Sequence, residues 1–207
     1  MSILDLFLSN ARQFKAPRVL ELGTAQSIPG RSTMHREWLP NASEWLGTDM
    51  QAGPGPDVDI VADVHRLSEV VGRESFDVIV SCSTLEHVRY VQLAAHGIMK
   101  TLKVGGLLFV QTHQSFPLHS YPSDYWRFGT DALMSLFPPE MGMQTVADYE
   151  FPCRIVSERD PNTARCLAFL NVCCFARKTS PTPEQWVYEL PTLQPGEQCS
   201  ACEHVND

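Results

Sequence analysis

Positive charge is scarce in this sequence and is never concentrated. Sixteen lysine and arginine residues stand against 24 aspartate and glutamate residues, so the formal net charge is −8. Basic residues occur singly or in pairs. Nucleic-acid binding depends on basic side chains that neutralise phosphates. We therefore expect neither DNA nor RNA as a partner.

Long apolar runs are also missing. A membrane-spanning helix needs about 18 to 20 apolar residues, and no such stretch occurs among the 207 residues. The opening residues MSILD lack the basic charge that begins a signal peptide. These absences predict a cytoplasmic protein without a membrane partner, and the length suits one domain. Nothing in the sequence predicts the oligomeric state.

The seven cysteines cannot all be paired, because their number is odd. Cys82, Cys166, Cys173 and Cys174 lie in apolar runs, where free thiols behave as small core residues and fit a reducing compartment. The CxxC pair Cys199 and Cys202 has only His204 nearby, whereas a structural zinc site needs four ligands. We expect a solvated tail there and no metal.

Strand-like and helix-like patterns alternate along the chain, which predicts a mostly parallel sheet. Two late strands without a long helix between them predict an antiparallel edge. Gly105 and Gly106 should close one helix with a left-handed cap. One domain should span 1–180, with an N-terminal helix within 1–15, and an extension should span 181–207. The expected strands are 18–22, 44–49, 58–62, 75–81, 107–112, 144–151 and 166–177, and the expected helices are 3–14, 34–39, 65–71, 88–102 and 130–133.

Ligands of such sheets bind at the carboxyl ends of the parallel strands. The pattern places six residues along that edge: Gly23, Asp49, Asp63, Ser81, Glu86 and His113. Asp49 follows Gly23 by 26 residues, a spacing that suits a carboxylate accepting hydrogen bonds from a ribose diol. Alternatively, Asp49 caps a turn. Residues 23–27 read GTAQS and lack the glycines of the GxGxxG dinucleotide fingerprint, which disfavours NAD.

Six segments in order carry a resemblance to a known family: LELG at 20–23, GTD at 47–49, ADVH at 62–65, FDVI at 76–79, LEHV at 85–88 and LKVGG at 102–106. Over residues 18–177 the chain resembles class I S-adenosylmethionine-dependent methyltransferases of type 11. The resemblance implies an α/β, Rossmann-like three-layer sandwich, in which a mostly parallel seven-stranded sheet has an antiparallel edge strand. The implied cofactor is S-adenosyl-L-methionine. The chain departs from the family's GxGxG pattern at Ala25 and Ser27.

The resemblance implies a set of cofactor-binding residues: Glu21, Gly23, Thr24, Ala25, Asp49, Met50, Asp63, Val64, Ser81 and Cys82. Within this set Glu21 would lie near the methionine part of the cofactor, and Asp63 would accept from the adenine amine. Ser81 and Cys82 would offer backbone carbonyls to the cofactor amino group. Asp63 could equally be a helix cap before His65.

Methyl transfer requires an aligned acceptor and, for a hydroxyl, a base that removes its proton. His113, just beyond the fifth strand, is the first candidate base, and His87 is the second, because imidazole titrates near neutral pH. A metal held by acids and histidines of this region matches no ligand spacing that we recognise, so we predict none: the residues considered are Glu86, His87, His113, His119 and Asp124.

The loop over 114–128 is rich in aromatic residues. Such a loop either covers the sheet edge or lines an acceptor pocket, and we expect the pocket. Arg127 could bind an acceptor carboxylate or pair internally with Asp124 or Asp131. The predicted substrate-binding residues are His119, Tyr121, Asp124, Tyr125, Trp126 and Arg127.

These observations predict a methyltransferase that acts on a small-molecule acceptor at oxygen. Methylation of nucleobases is not expected, because the fourth strand is not followed by the Asn/Asp-Pro-Pro-aromatic signature. Two alternatives stay open: a non-catalytic cofactor-binding module of the same fold, and an NAD-dependent oxidoreductase.

Overall fold

The computed structural model describes residues 2–26, 28–120, 122–150 and 170–188. The helices are α1 (Ile3–Ala11), α2 (Leu67–Val71), α3 (Val91–Thr101) and α4 (Thr130–Met134). The strands are β1 (Arg18–Leu22), β2 (Glu44–Asp49), β3 (Ile60–Val61), β4 (Phe76–Cys82), β5 (Leu102–Ser115), β6 (Met143–Glu150) and β7 (Leu170–Lys178). Predictions that concern Ser27, Tyr121, Cys166, Cys199, Cys202 and His204 lie outside the described residues.

All seven strands form one sheet in the order β3-β2-β1-β4-β5-β7-β6. From β3 to β5 the neighbours run parallel, whereas β7 runs antiparallel to both β5 and β6. This arrangement confirms the mostly parallel seven-stranded sheet with antiparallel pairing on one side. Strand order reverses direction between β1 and β4, and the carboxyl ends of these two strands therefore flank the crevice where ligands of open α/β sheets bind.

The sheet is covered on both faces, which gives three layers. Alternation within β1 sends Val19 to the face covered by α1 and Leu20 to the face covered by α2, α3 and α4. Phe7 of α1 packs with its ring centroid 5.0 Å from that of Phe109 and 5.5 Å from that of Phe175. Ser2 and Asp5 form a capping box that fixes the start of α1.

The connection from β1 to β2, on the α1 face, contains no α-helix in its described residues. We predicted a helix over 34–39, but the structure has only the short 3₁₀ turn Arg36–Trp38. Pro29 and Gly30 precede this turn and Pro40 follows it, and such residues interrupt helices. Irregular chain, and not an α-helix, therefore covers the α1 face beside the carboxyl end of β1.

The end of α3 also differs from the prediction. The helix stops at Thr101, and Gly105, with a φ of +86°, lies within β5 rather than in a helix cap. Lys178 instead caps the end of α3, because its Nζ donates to Met99 O at 3.0 Å and to Leu102 O at 2.7 Å. A cation suits this position because carbonyl dipoles converge at a helix C-terminus.

The described part of the extension, residues 181–188, packs against the domain. Trp186 contacts the core below α3, and the Val187 N–H donates to Met141 Sδ at 3.2 Å. Glu184 pairs with Arg73 at 2.6 Å. Among the described residues, no helix combines the length and the apolar character needed to cross a membrane.

Candidate functional site

The turn after β1 begins at Gly23, which has a φ of +75°. The N–H groups of Gly23 and Thr24 donate to Thr48 O at 2.8 and 3.3 Å, which ties the turn to β2. A side chain at Gly23 would overlap the Thr84 hydroxyl, and its Cβ would lie 2.8 Å from Thr84 Cγ2. Both the backbone angle and the contact with Thr84 require glycine here.

The rest of the turn is held by polar side chains. Thr24 is buried, and its hydroxyl donates to Asp57 O at 2.8 Å. Gln26 Nε2 donates to Asp57 Oδ2 at 2.9 Å, and the Ala25 N–H donates to Asp49 Oδ2 at 3.1 Å. The φ of Ala25 is not positive, so its methyl group is tolerated where related loops have glycine. Asp49 thus orients the turn after β1, and its Oδ1 also accepts from the Gln51 N–H at 3.3 Å in the turn that follows β2.

Glu21 lies under the turn and is 2% exposed. Its Oε2 accepts from the His35 N–H at 3.0 Å and from Trp45 Nε1 at 2.8 Å, while its Oε1 lies 2.5 Å from His35 Nδ1. These contacts pin the chain on either side of His35 to the sheet. In this structure Glu21 therefore supports the wall of the crevice rather than facing it.

A cavity of about 620 Å³ lies between the turn and the segment 28–37. We call it the turn cavity. Three of the predicted cofactor-binding residues line it: Gly23, Ala25 and Cys82. Arg31, His35 and Gln111 also line it and were not predicted. A buried acid such as Glu21 requires a hydrogen-bond partner, but the sequence does not indicate that His35 is that partner.

The end of β4 gives the turn cavity its floor. Ser83 has a φ of +52° and lines the cavity beside Cys82, and strained backbone of this kind concentrates at functional sites. Burial, followed by the Glu21 carboxylate, raises the pKa of the Cys82 thiol. Cys82 is therefore a neutral wall residue and not a nucleophile. Ser81, by contrast, is fully buried.

The remaining predicted cofactor residues lie further along the edge. Asp63 is the N-cap of the 3₁₀ turn Val64–Arg66 and accepts from the His65 N–H at 3.0 Å. Met50 is 65% exposed, and Val64 packs against the core. These three residues do not line the turn cavity. That cavity is lined by the turn, the segment 28–37, the end of β4 and Gln111.

A second group surrounds the carboxylate of Glu86, in the 3₁₀ turn after β4. Glu86 is fully buried, and its Oε2 accepts from Thr112 Oγ1 at 2.8 Å. His113 Nε2 lies 3.1 Å from Glu86 Oε1, and His113 Nδ1 lies 2.8 Å from Asn171 Oδ1. The His113 ring stacks on Phe116 with centroids 4.1 Å apart.

Two further histidines complete what we call the histidine cluster: Glu86, His87, His113 and His119. His87 Nδ1 lies 2.6 Å from Ser123 O, and His119 Nδ1 lies 3.1 Å from Pro117 O. In the neutral ring, a nitrogen that faces a carbonyl carries the proton. His87 and His119 therefore each present Nε2 as the nitrogen with a free lone pair.

An internal ion pair organises the aromatic loop. The Asp124 carboxylate accepts from Arg127 Nη1 at 2.6 Å and Nη2 at 2.8 Å, and also from the His119 N–H at 2.9 Å. Arg127 Nη2 donates further to Phe116 O and Pro117 O. The Arg127 guanidinium holds the pKa of Asp124 well below its usual range. This is the internal pairing that we named as the alternative to binding an acceptor.

The same loop contributes to a second cavity, of about 710 Å³, on the α3 side. Trp126 and Arg127 line it, as do Phe128, Tyr90 and Trp186. Trp126 is fixed by a hydrogen bond from its Nε1 to Val88 O at 2.8 Å. Tyr125 is 44% exposed. Of the six predicted substrate-binding residues, the structure therefore places two in this cavity and His119 in the histidine cluster.

Comparison with known proteins bears on the whole arrangement. The family profile described as "Methyltransferase domain" matches residues 36–110, so the match begins after the turn at Gly23. No curated protein sequence matches the chain.

Solved structures share the fold at low sequence identity. A Bacillus halodurans protein solved as a candidate methyltransferase is 12% identical, with a TM-score of 0.64 over 87% of this chain and 100% of that one. The 1,6-didemethyltoxoflavin-N1-methyltransferase of Burkholderia thailandensis, solved with its substrate and S-adenosylhomocysteine, is 16% identical, with a TM-score of 0.60 over 86% of this chain and 76% of that one. The N-methyltransferase NodS of Bradyrhizobium japonicum, with S-adenosylhomocysteine, is 14% identical, with a TM-score of 0.56 over 86% of each chain.

Proposed function

From the class I methyltransferase fold and the methyltransferase-domain match over residues 36–110, we propose that this chain methylates a small-molecule acceptor, and that it does so at oxygen. The domain match and the neighbours solved with S-adenosylhomocysteine indicate S-adenosylmethionine as the cofactor. When bound, this cofactor supplies an electrophilic methyl group on a sulfonium. The chain must then hold the cofactor, align the acceptor and remove a proton.

The turn cavity fits such a cofactor. Its volume of about 620 Å³ lies within the range of roughly 300 to 1,000 Å³ found for ligand pockets. Gly23 lines this cavity, and the space that a side chain would take there is filled by Thr84. In our proposal Gly23, Ala25 and Cys82 contact the cofactor directly, Asp49 contacts its ribose and Asp63 its adenine. Met50, Val64, Thr24 and Ser81 flank that path, and Glu21 holds the wall.

One observation carries the proposal of a proton-removing site: the histidine cluster lies at the same sheet edge as the turn cavity. Gln111 lines the cavity, and His113 follows it by two residues on β5. Cys82 lines the cavity, and Glu86 lies in the turn that follows β4. An acceptor placed between the two features would have the cofactor on one side and imidazoles on the other.

Of the two predicted bases, the contacts favour His87. Both nitrogens of His113 face internal partners, Glu86 and Asn171, whereas His87 uses only Nδ1, on Ser123 O. We propose that the acceptor oxygen forms a bond to the methyl carbon as the sulfur–carbon bond breaks. The acceptor proton then passes to His87 Nε2. A base of this kind suits a hydroxyl, since a neutral amine can attack without first losing a proton.

We assign the acceptor pocket to the aromatic loop and its surroundings. His119, Tyr125 and Trp126 supply the contact surface. Tyr121, which was also predicted, lies outside the described residues. Asp124 and Arg127 shape the loop through their ion pair. We place the protein in the cytoplasm, where free thiols such as those of Cys82, Cys173 and Cys174 persist.

Calorimetric titration with S-adenosylhomocysteine tests the cofactor assignment. We expect saturable binding, and we expect Asp49→Ala to weaken it by about 1 to 3 kcal/mol, the usual effect of losing a charged hydrogen-bonding partner. Asp131→Ala removes an exposed carboxylate on α4 and should leave affinity unchanged. Absence of binding at millimolar ligand would refute the cofactor assignment.

Methyl transfer to a panel of alcohols, phenols and amines, followed by mass spectrometry, tests the acceptor atom. A non-catalytic module would bind S-adenosylhomocysteine without transferring methyl groups to any of them. An oxidoreductase would instead enhance NADH fluorescence on binding. Products methylated only at nitrogen would overturn the assignment to oxygen.

A further inference from the structure

Glu86 and His113 make a contact that needs explaining. Glu86 is fully buried, and its Oε1 has no hydrogen-bond partner within the described parts of the chain. A buried carboxylate oxygen without a partner is costly. The nearest titratable nitrogen is His113 Nε2, at 3.1 Å.

The nature of this contact depends on which ring nitrogen of His113 carries the proton. Its Nδ1 lies 2.8 Å from Asn171 Oδ1; when Nδ1 donates to that oxygen, the Nε2 of the neutral ring carries a lone pair. Two lone pairs, on Nε2 and on Glu86 Oε1, then face each other. Either a proton or a metal ion between the two atoms would make this contact favourable. Ligands about 2.1 Å from one metal ion are roughly 3.0 to 3.4 Å apart in octahedral or tetrahedral geometry, which matches this separation.

We propose that Glu86, His113 and His119 form a binding site for a divalent transition-metal ion. One ligand atom from each of the three lies within 4.8 Å of those of the other two. His119 supplies the third, through the Nε2 that its contact with Pro117 O leaves available.

The partners behind these three side chains support the assignment. Metal-binding histidines usually donate their other ring N–H to a carbonyl or carboxylate, and metal-binding carboxylates are themselves hydrogen-bonded. Here Asn171 holds His113, Pro117 O holds His119, and Thr112 Oγ1 holds the second oxygen of Glu86. Each candidate ligand is thus oriented by a residue that is not a ligand.

A competing set, His87, His119 and Asp124, also lies within reach of a common ion. Asp124 makes this set weaker, because both of its oxygens already accept hydrogen bonds from Arg127. Glu86 Oε1, by contrast, accepts no hydrogen bond from the described residues and has only His113 Nε2 close to it, at 3.1 Å. The Glu86 set is therefore the one that an ion would complete.

The donor set selects the kind of ion. Two imidazoles and one carboxylate suit Zn²⁺, Fe²⁺, Mn²⁺ or Co²⁺, whereas Mg²⁺ and Ca²⁺ prefer oxygen ligands. Three protein ligands leave coordination positions open for water or a substrate. This step rests on the proposed function. An acceptor hydroxyl would bind at an open position, where the ion would lower the pKa of the hydroxyl, and His87 Nε2 would take its proton.

Metal titration of the full chain, after chelator treatment and dialysis, tests the site. We expect one Zn²⁺ or Co²⁺ ion to bind per chain, with visible Co²⁺ absorption typical of nitrogen and oxygen ligands, and Mg²⁺ not to compete. Glu86→Gln and His119→Ala should each weaken binding at least about tenfold, the lower end of the effect of losing a group that orients a ligand. Circular dichroism would show whether each variant is folded, and His113→Asn serves as a third, conservative variant.

Two controls separate this site from others. His65→Ala removes a histidine outside the cluster, and the double variant Cys199→Ser, Cys202→Ser removes the CxxC pair. Both should keep the cobalt spectrum. No stoichiometric binding, or binding that all three folded cluster variants retain, would overturn the proposal.

Titration of the metal-free protein with S-adenosylhomocysteine distinguishes the two proposals. Unchanged affinity is expected, because the turn cavity and the ion would use different residues. Metal binding without S-adenosylhomocysteine binding would refute the proposed function and keep the metal site. The reverse result would refute only the metal site.

Discussion

Gly23→Ala is the most direct test of the turn after β1. The residue has a φ of +75°, and an alanine held there pays about 1 to 2 kcal/mol for the left-handed conformation. The new methyl would also overlap Thr84, whose Oγ1 lies 3.1 Å from both Leu22 O and Cys82 O. Because rotating Thr84 away breaks those contacts, the overlap adds a further cost of about 1 to 3 kcal/mol.

Gly105 separates these two terms. Its φ is +86°, and a Cβ there would meet no atom within 4 Å. Gly105→Ala should therefore show the conformational term alone. Urea denaturation of the wild type and both variants gives their free energies of unfolding. We expect Gly23→Ala to lose about 2 to 5 kcal/mol in total and to exceed Gly105→Ala by about 1 to 3 kcal/mol.

Thr84→Ala completes a double-mutant cycle. Alone it should destabilise the protein by about 0.5 to 1.5 kcal/mol, the net contribution of a hydrogen bond. Combined with Gly23→Ala it should recover part of the overlap cost, which gives a favourable coupling energy of about 1 kcal/mol or more. Equal losses for Gly23→Ala and Gly105→Ala, or strict additivity with Thr84→Ala, would refute the role assigned to this contact.

Two further predictions concern buried carboxylates. Glu21→Gln keeps the side-chain shape but weakens the charged contacts to His35 and Trp45. It should lower the free energy of unfolding, measured by urea denaturation, by about 1.5 to 3 kcal/mol. Unchanged stability together with an unshifted Trp fluorescence spectrum would contradict the role of Glu21 in holding the wall. The pKa of Asp124 is lowered by Arg127, so its contribution to stability is complete above about pH 4, the unfolded value, and is lost as the pH falls through the folded value. Asp124→Asn should therefore lose less stability than the wild type as the pH falls from about 4 to about 2, and equal slopes there would exclude this linkage.

The sheet could be predicted from the sequence because its evidence is local. Apolar strands such as β1 and β4 alternate with helix patterns, and acids or glycines mark the strand ends. The position of Gly23 followed from the residues immediately before it, and the structure places it at the point where strand order reverses.

Contacts between distant segments could not be predicted in this way. Glu21 is satisfied by His35 and Trp45, and no spacing rule links a strand to an irregular segment 14 residues later. The end of α3 is capped by Lys178, 76 residues beyond Leu102. The candidate metal ligands could not be predicted for the same reason. Glu86 lies in the turn after β4, His113 in β5 and His119 in the aromatic loop, so their spacing in the sequence resembles no known ligand pattern.

The position of β7 between β5 and β6 also constrains the order in which the protein can be completed during synthesis. β6 pairs with β7 and not with β5, so β6 leaves the ribosome before the strand that must attach it to the sheet exists. Until residues 170–178 emerge, the edge of β5 is unpaired, and the Lys178 ammonium is not yet there to meet the last carbonyls of α3. An exposed strand edge is a template for pairing with other chains. Between the synthesis of β6 and that of β7, the edge of β5 is therefore open to pairing with other chains.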